Sequence, residues 1–241
     1  MTDLMIFGTF VAIVAVVATI AIMAEKARKK RLTAEFEAAG FRVNFKPDEM
    51  DKHSALGQCG GSWSQLKTGS TGVQWTVFGH VGQTPVAMCE HRYTTGSGKN
   101  KSTHYNTIAA TPAPQAWPFV ELSPESVFHR IGELFGSKDF KVEDEAFNRK
   151  WRVKVTDEEF ALLVLTPEVQ AWCMTLPKYA QVRVGGGAVT VALGKYISKD
   201  ATMLINRCVE LSRMLPQELH AWEPVQGWEG RPQMNADQRE I

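Results

Sequence analysis

From Leu4 to Met23 the chain reads "LMIFGTFVAIVAVVATIAIM", without a single charged side chain. As an α-helix this run is about 30 Å long, which is the hydrocarbon thickness of a bilayer. It therefore predicts a membrane-spanning helix over residues 1–23. A secretory leader would carry a basic start, a shorter apolar stretch and a small-residue cleavage site; here Asp3 precedes the run, and the helix is expected to be retained as an anchor. Lys26, Arg28, Lys29, Lys30 and Arg31 follow at once, against almost no charge on the N-terminal side. The positive-inside rule then predicts a single-pass protein with its N-terminus outside and its body in the cytoplasm. Those five cations are also candidate contacts to anionic headgroups, each worth about 1 kcal/mol near the surface.

Residues 24–40, "AEKARKKRLTAEFEAAG", are rich in Ala, Lys, Glu and Arg and close on Gly40. They read as a basic helical stem that continues the span and stops at a glycine C-cap. Residues 41–216 form the expected soluble domain. After a Gly/Ser-rich stretch without periodicity, Val73–Gly79, Thr84–Tyr93 and Thr103–Ala110 carry β-branched and aromatic residues between turn signals, so an antiparallel meander is predicted, with a fourth strand in "WPFVEL". Ser123, Pro124 and Glu125 then mark the start of an amphipathic helix that ends before Gly136. Further on, "WRVKV" reads as a strand and short helices begin near Asp157 and Pro167. A hairpin turns at Gly185, Gly186 and Gly187, and a last amphipathic helix is stopped by Pro216. The tail, residues 217–241, lacks periodicity and reads as extended or disordered. Strands grouped ahead of helices, without regular alternation, predict an α+β domain with a mainly antiparallel sheet.

The stretch "TTGSGKNKST", Thr94–Thr103, imitates a phosphate-binding loop. Such a loop needs a glycine five residues before the Gly-Lys pair, a hydroxyl residue after the lysine and a helix beyond. Here Tyr93 stands five before Gly98, Asn100 follows Lys99, and strands are expected on both flanks. The stretch reads as a basic hairpin tip whose Lys99 and Lys101 are candidate contacts to headgroups or to an acidic partner. Cys89, His91 and His104 could share one sheet face, but no fourth ligand is indicated, so neither a metal nor another cofactor is expected. Glu143, Asp144 and Glu145 fit a helix start better than acid–base catalysis. In "WRVKV" a period of two sends Trp151, Val153 and Val155 inward and Arg152 and Lys154 outward.

The balance of 27 basic against 26 acidic residues leaves no global field of the kind that binds nucleic acid. Cys59, Cys89, Cys173 and Cys208 are scattered, with no Cys-x-x-Cys pair, as free thiols in a reducing compartment would be.

Two blocks carry a resemblance: "HRYTTGSGKNKSTHYNTIAA" and "VELSPESVFHRIGELFGSKDFKVEDEAFNRKWRVKVTDEEFALLVLTPEVQAW", with Phe147, Asn148, Trp151, Val153, Asp157, Phe160, Ala161 and Pro167 the most specific positions. From about Phe41 to Pro216 the chain resembles a family of membrane-anchored bacterial proteins, notably actinobacterial, known as a domain of unknown function. The resemblance implies the architecture and brings no activity, cofactor or catalytic residue. The expectation is a membrane-anchored interaction module, an adaptor or accessory subunit of an inner-membrane assembly, with the lipid bilayer and a protein partner or a second copy as its partners. A membrane-tethered enzyme, hydrolytic or metal-dependent, and a lipid-binding protein of the membrane surface are the alternatives.

Overall fold

Among the described residues nine antiparallel strands pair into one sheet in the order β1-β2-β3-β4-β9-β8-β5-β7-β6, and helices pack on one of its faces. The computed structural model describes residues 2–48, 72–124, 138–197 and 199–222. In chain order the elements are α1 (Thr2–Ala38), β1 (Arg42–Asn44), β2 (Val73–Val81), β3 (Thr84–Thr95), β4 (Ser102–Pro112), β5 (Val120–Pro124), β6 (Lys138–Phe140), α2 (Glu145–Lys150), β7 (Trp151–Val155), α3 (Glu158–Val164), α4 (Pro167–Thr175), β8 (Ala180–Gly185), β9 (Ala188–Leu193) and α5 (Ala201–Met214). The fold is α+β behind an N-terminal apolar helix, as the sequence predicts.

Residues 6–23 of α1 are exposed along their length, and α1 is a helix long and apolar enough to cross a membrane. It ends in a Schellman-type stop: Gly40 takes φ +79°, and the Phe41 amide donates to the Phe36 carbonyl at 2.9 Å. The Phe36 and Phe41 rings meet edge-on at 6.5 Å, which is the apolar contact that accompanies this cap.

The meander β2-β3-β4 forms as expected. Its second connection is the basic tip, with Thr95 paired to Ser102 and a 3-10 turn at Gly98–Asn100, so strands flank it on both sides. The hairpin β8-β9 turns through Gly186 and Gly187 at φ +60° and +97°, the left-handed conformations that a two-residue turn of this twist requires. This late hairpin inserts between β4 and β5, so the sheet is completed only when a segment far along the chain folds back. The outermost strands among the described residues, β1 and β6, are three residues each.

Ser123 and Pro124 correct the sequence reading: they continue β5, paired with Arg152 and Trp151, so Pro124 is a strand residue and not the first residue of a helix. The remainder of that expected helix, like the Gly/Ser-rich stretch, lies outside the described residues. The start of the tail is also corrected. Gln217–Ala221 forms a 3-10 turn, Leu219 is fully buried, and Trp117 Nε1 donates to the Leu219 carbonyl at 2.7 Å. Trp222 meets Phe160 edge-on at 5.4 Å, so apolar side chains carry the packed domain past Pro216.

The capping residues match the sequence signals. Asp144, Asp157 and Thr166 accept amide hydrogens at the starts of α2, α3 and α4. Lys150 closes the far end of α4, its Nζ donating to the carbonyls of Cys173, Met174 and Leu176 at 3.3, 2.7 and 2.7 Å. Burial holds this ammonium's pKa below its ordinary value. Lys150→Met keeps the aliphatic stem but leaves three carbonyls without their donor; thermal denaturation is expected to show a loss of about 1–3 kcal/mol. An unchanged melting temperature would show that water replaces the ammonium at no cost.

Candidate membrane-proximal site

Where α1 leaves the apolar stretch it does not stand free as a stem. Glu25, Arg28, Leu32, Glu35 and Phe36 recur at intervals of three and four, the spacing of one helical face, and this face lies on the domain. Leu32 and Phe36 are fully buried, with Phe36 against Trp75 at 5.8 Å. Glu35 accepts from the backbone amide and hydroxyl of Thr202 at 2.8 and 2.9 Å. It thereby caps α5 from outside, since that helix's own N-cap, Asp200, sits at φ +55° and makes no side-chain cap bond.

Arg28 is the centre of the contact. It is 6% exposed; Nη2 donates to Glu90 Oε2 at 2.6 Å, and Nε donates to the Ile197 carbonyl at 2.7 Å. The guanidinium lies 3.7 Å over the Tyr196 ring, and Nη1 is 3.5 Å from Glu25. Glu90, on β3, is 1% exposed; burial raises its carboxyl pKa above the ordinary 4.5, and the Arg28 charge pulls the other way. Tyr196 donates its hydroxyl to Glu25 at 2.8 Å, and burial together with that bond holds the phenol protonated well above its usual range.

Of the seven cations singled out in the sequence, Arg28 is corrected: the Glu90 carboxylate draws it into the domain, away from any headgroup. Lys29 is half-buried, 5.7 Å from the Phe45 ring centre, while Lys26, Lys30, Arg31, Lys99 and Lys101 are exposed. The Cys89, His91 and His104 grouping is split. Tyr93 stacks against both imidazoles, at 5.8 and 5.1 Å, and so lies between them. Among the described residues no group of three His, Cys, Asp or Glu side chains is placed to hold a metal. Cys173 and Cys208 are buried free thiols whose pKa burial pushes up to about 12, so they stay protonated and unreactive.

Beside Tyr196 opens a notch of about 290 Å³, lined by Tyr93, Tyr105, Tyr179 and Tyr196, with Thr103, His104, Asn106, Gln181, Gly194 and Lys195 between them. It exists because β9 stops at Leu193, opposite Thr107, whereas β4 runs back to Ser102. Tyr105 and Tyr196 meet edge-on at 5.2 Å, and Lys195 Nζ donates to the Tyr179 hydroxyl at 2.8 Å. The chain has four tyrosines, and all of them line this notch. The sequence reading missed them, although a signal was there: each tyrosine directly follows a basic residue or histidine, at Arg92, His104, Lys178 and Lys195. That pairing suits a membrane–water interface, where aromatic rings with polar tips and cations concentrate.

No family model and no curated protein matches the chain. Among solved structures, the mycobacterial trehalose monomycolate transport factor A, TtfA, is similar, with a TM-score of 0.54 at 13% identity, over 78% of this chain and 96% of that one. The likeness is one of fold.

Arg28→Met strands the Glu90 carboxylate in the interior and is expected to cost about 3–5 kcal/mol, whereas Arg28→Met with Glu90→Leu recovers most of that loss. The pH dependence follows from the raised carboxyl. Above the ordinary 4.5 the folded form holds a proton that the unfolded form releases, so stability falls as pH rises through that window. Without the arginine the carboxyl is pushed further up and the fall steepens. Denaturation of the full chain across pH checks this, and a single variant as stable as wild type at every pH would refute it.

Proposed function

We propose that the protein is a single-span accessory subunit of a bacterial inner-membrane assembly concerned with lipid transport, its domain held on the cytoplasmic side. The observation that carries this reading is mechanical: α1 passes from the apolar stretch into the domain's core as one helix, fastened at Glu25, Arg28, Leu32, Glu35 and Phe36. A flexible tether would only keep a domain nearby. A rigid one holds one end of the sheet at a set height above the bilayer, which suits a part that must meet a neighbouring membrane protein in a fixed pose.

The basic residues that follow the span support the cytoplasmic orientation. The fold likeness to a mycobacterial trehalose monomycolate transport factor supports placing the assembly in lipid transport. Membership of the actinobacterial family that the sequence resembles is part of the same proposal.

Two experiments test it. Gentle solubilisation of membranes is expected to recover the chain with a stoichiometric membrane-protein partner; recovery of this chain alone would overturn the accessory role. A cysteine at the hairpin tip, Ser97→Cys, is expected to react with an impermeant maleimide only in inverted vesicles, and labelling in intact cells would reverse the orientation. Ser97 is exposed, and the three described native cysteines are buried, so the tip thiol is the accessible one among them.

A further inference from the structure

We propose that the tyrosine-lined notch binds the sugar headgroup of a membrane glycolipid, a site that deepens the accessory role above and rests on its membrane geometry. Position is the first argument. Tyr196 is hydrogen-bonded to Glu25, and Glu25 lies two residues past the last apolar residue of the span, Met23, about 3 Å further along the helix. With α1 across a bilayer, the notch opens at the level of the headgroups.

Size is the second argument. At about 290 Å³ the notch sits at the low end of ligand pockets, about 300–1,000 Å³, which suits a headgroup and is too small for a whole two-chain lipid.

The chemistry of the lining then narrows the ligand. A phosphate or sulfate only accepts hydrogen bonds, and sites built for one converge several donor-only cations on it. A single ammonium, Lys195, lines this notch beside His104, and Lys195 already donates to Tyr179. No carboxylate lines it either, so a cationic headgroup finds no counter-charge. What predominates are groups that both donate and accept: four phenol hydroxyls, of which Tyr196 already donates to Glu25 and Tyr179 already accepts from Lys195, the Thr103 hydroxyl and the amides of Asn106 and Gln181. Those match a ligand bearing many hydroxyls. The tyrosine rings add flat apolar faces of the kind that the C–H face of a pyranose covers, so ring and rim together suit a sugar.

The notch also has a firm floor. Asn106 and Gln181 are buried, 5% and 7% exposed, in paired strands, so their placement does not depend on the ligand. Tyr105 and Tyr179 are half-buried at the walls, where substitution leaves the core intact.

The test uses the full chain in phosphatidylcholine nanodiscs doped with a monoglucosyl diacylglycerol that carries a diazirine on the sugar. Photolabelling is expected to map to residues 103–106, 179–181 and 194–196, and to fall at least tenfold in Tyr105→Ala/Tyr179→Ala. Lys99→Glu/Lys101→Glu, which alters only the exposed tip, is expected to label as wild type does. Tyr179→Phe, which keeps the ring and loses one hydroxyl, is expected to lie between. Label spread evenly along α1, or undiminished in the double tyrosine variant, would overturn the proposal. So would equal or stronger labelling of the notch by a diazirine phosphatidylglycerol, which would mark an anionic headgroup site. If free glucose competes as well as the glycolipid does, the ligand is a soluble sugar and the lipid assignment falls. A chain that labels in the notch yet is recovered from membranes without a partner would retain the sugar site and lose the accessory role; a chain recovered with a partner and unlabelled would do the reverse.

Discussion

The seat of α1 on the domain is centred on one ion pair. Arg28 and Glu90 are both nearly dry, and in such surroundings each charge is tolerable only because the other is there. The pair is monodentate between the side chains, and the second guanidinium contact goes to a backbone carbonyl just before α5. One arginine thus ties the helix leaving the span to β3 and to the loop from which Tyr196 projects. An apolar pair at the same place would pack, but it would set no axial register. A charge pair with directional bonds fixes how far α1 slides along β3, and with it the height of the sheet above the apolar stretch.

Much of the fold was legible because its signals are local. The meander, the glycine hairpin, the caps at Asp157 and Thr166 and the final helix each follow from a few neighbouring residues, and each appears. The order of the sheet was not legible, since nothing near Ala188–Leu193 announces that β9 will lie against β4, about eighty residues earlier in the chain. Ser123 misled because its Ser-Pro-Glu surroundings imitate a helix start, while the pairing with Arg152 decides the matter from a distance.

The helical stem and its stop at Gly40 appear as read, but its docking was not legible. Residues 24–40 look mostly polar because Arg28 and Glu35 occupy the inward face along with Leu32 and Phe36, and a hydrophobicity pattern cannot register an inward charge whose partner lies elsewhere. Local composition is blind to a salt bridge between Arg28 and a residue 62 positions on. The tyrosines escaped notice similarly. They fall in two distant pairs, Tyr93 with Tyr105 and Tyr179 with Tyr196, and only the sheet's stagger brings all four to one place.

The short outer strands have a consequence of their own. A copy of this protein moves in a plane, where it meets its neighbours side-on far more often than a freely diffusing molecule would. A long open strand in that situation invites the next copy to extend the sheet, and the next after it. With three residues at β1 and three at β6, about 10 Å of backbone each, there is too little ladder for such growth to take hold. The stretch of β4 that β9 leaves without a partner, residues 102–106, runs past the end of β9 and borders the notch beside Tyr179 and Tyr196. Among the described residues the two edges offer a neighbouring copy little backbone to pair with, and the unpaired length of β4 borders the notch instead.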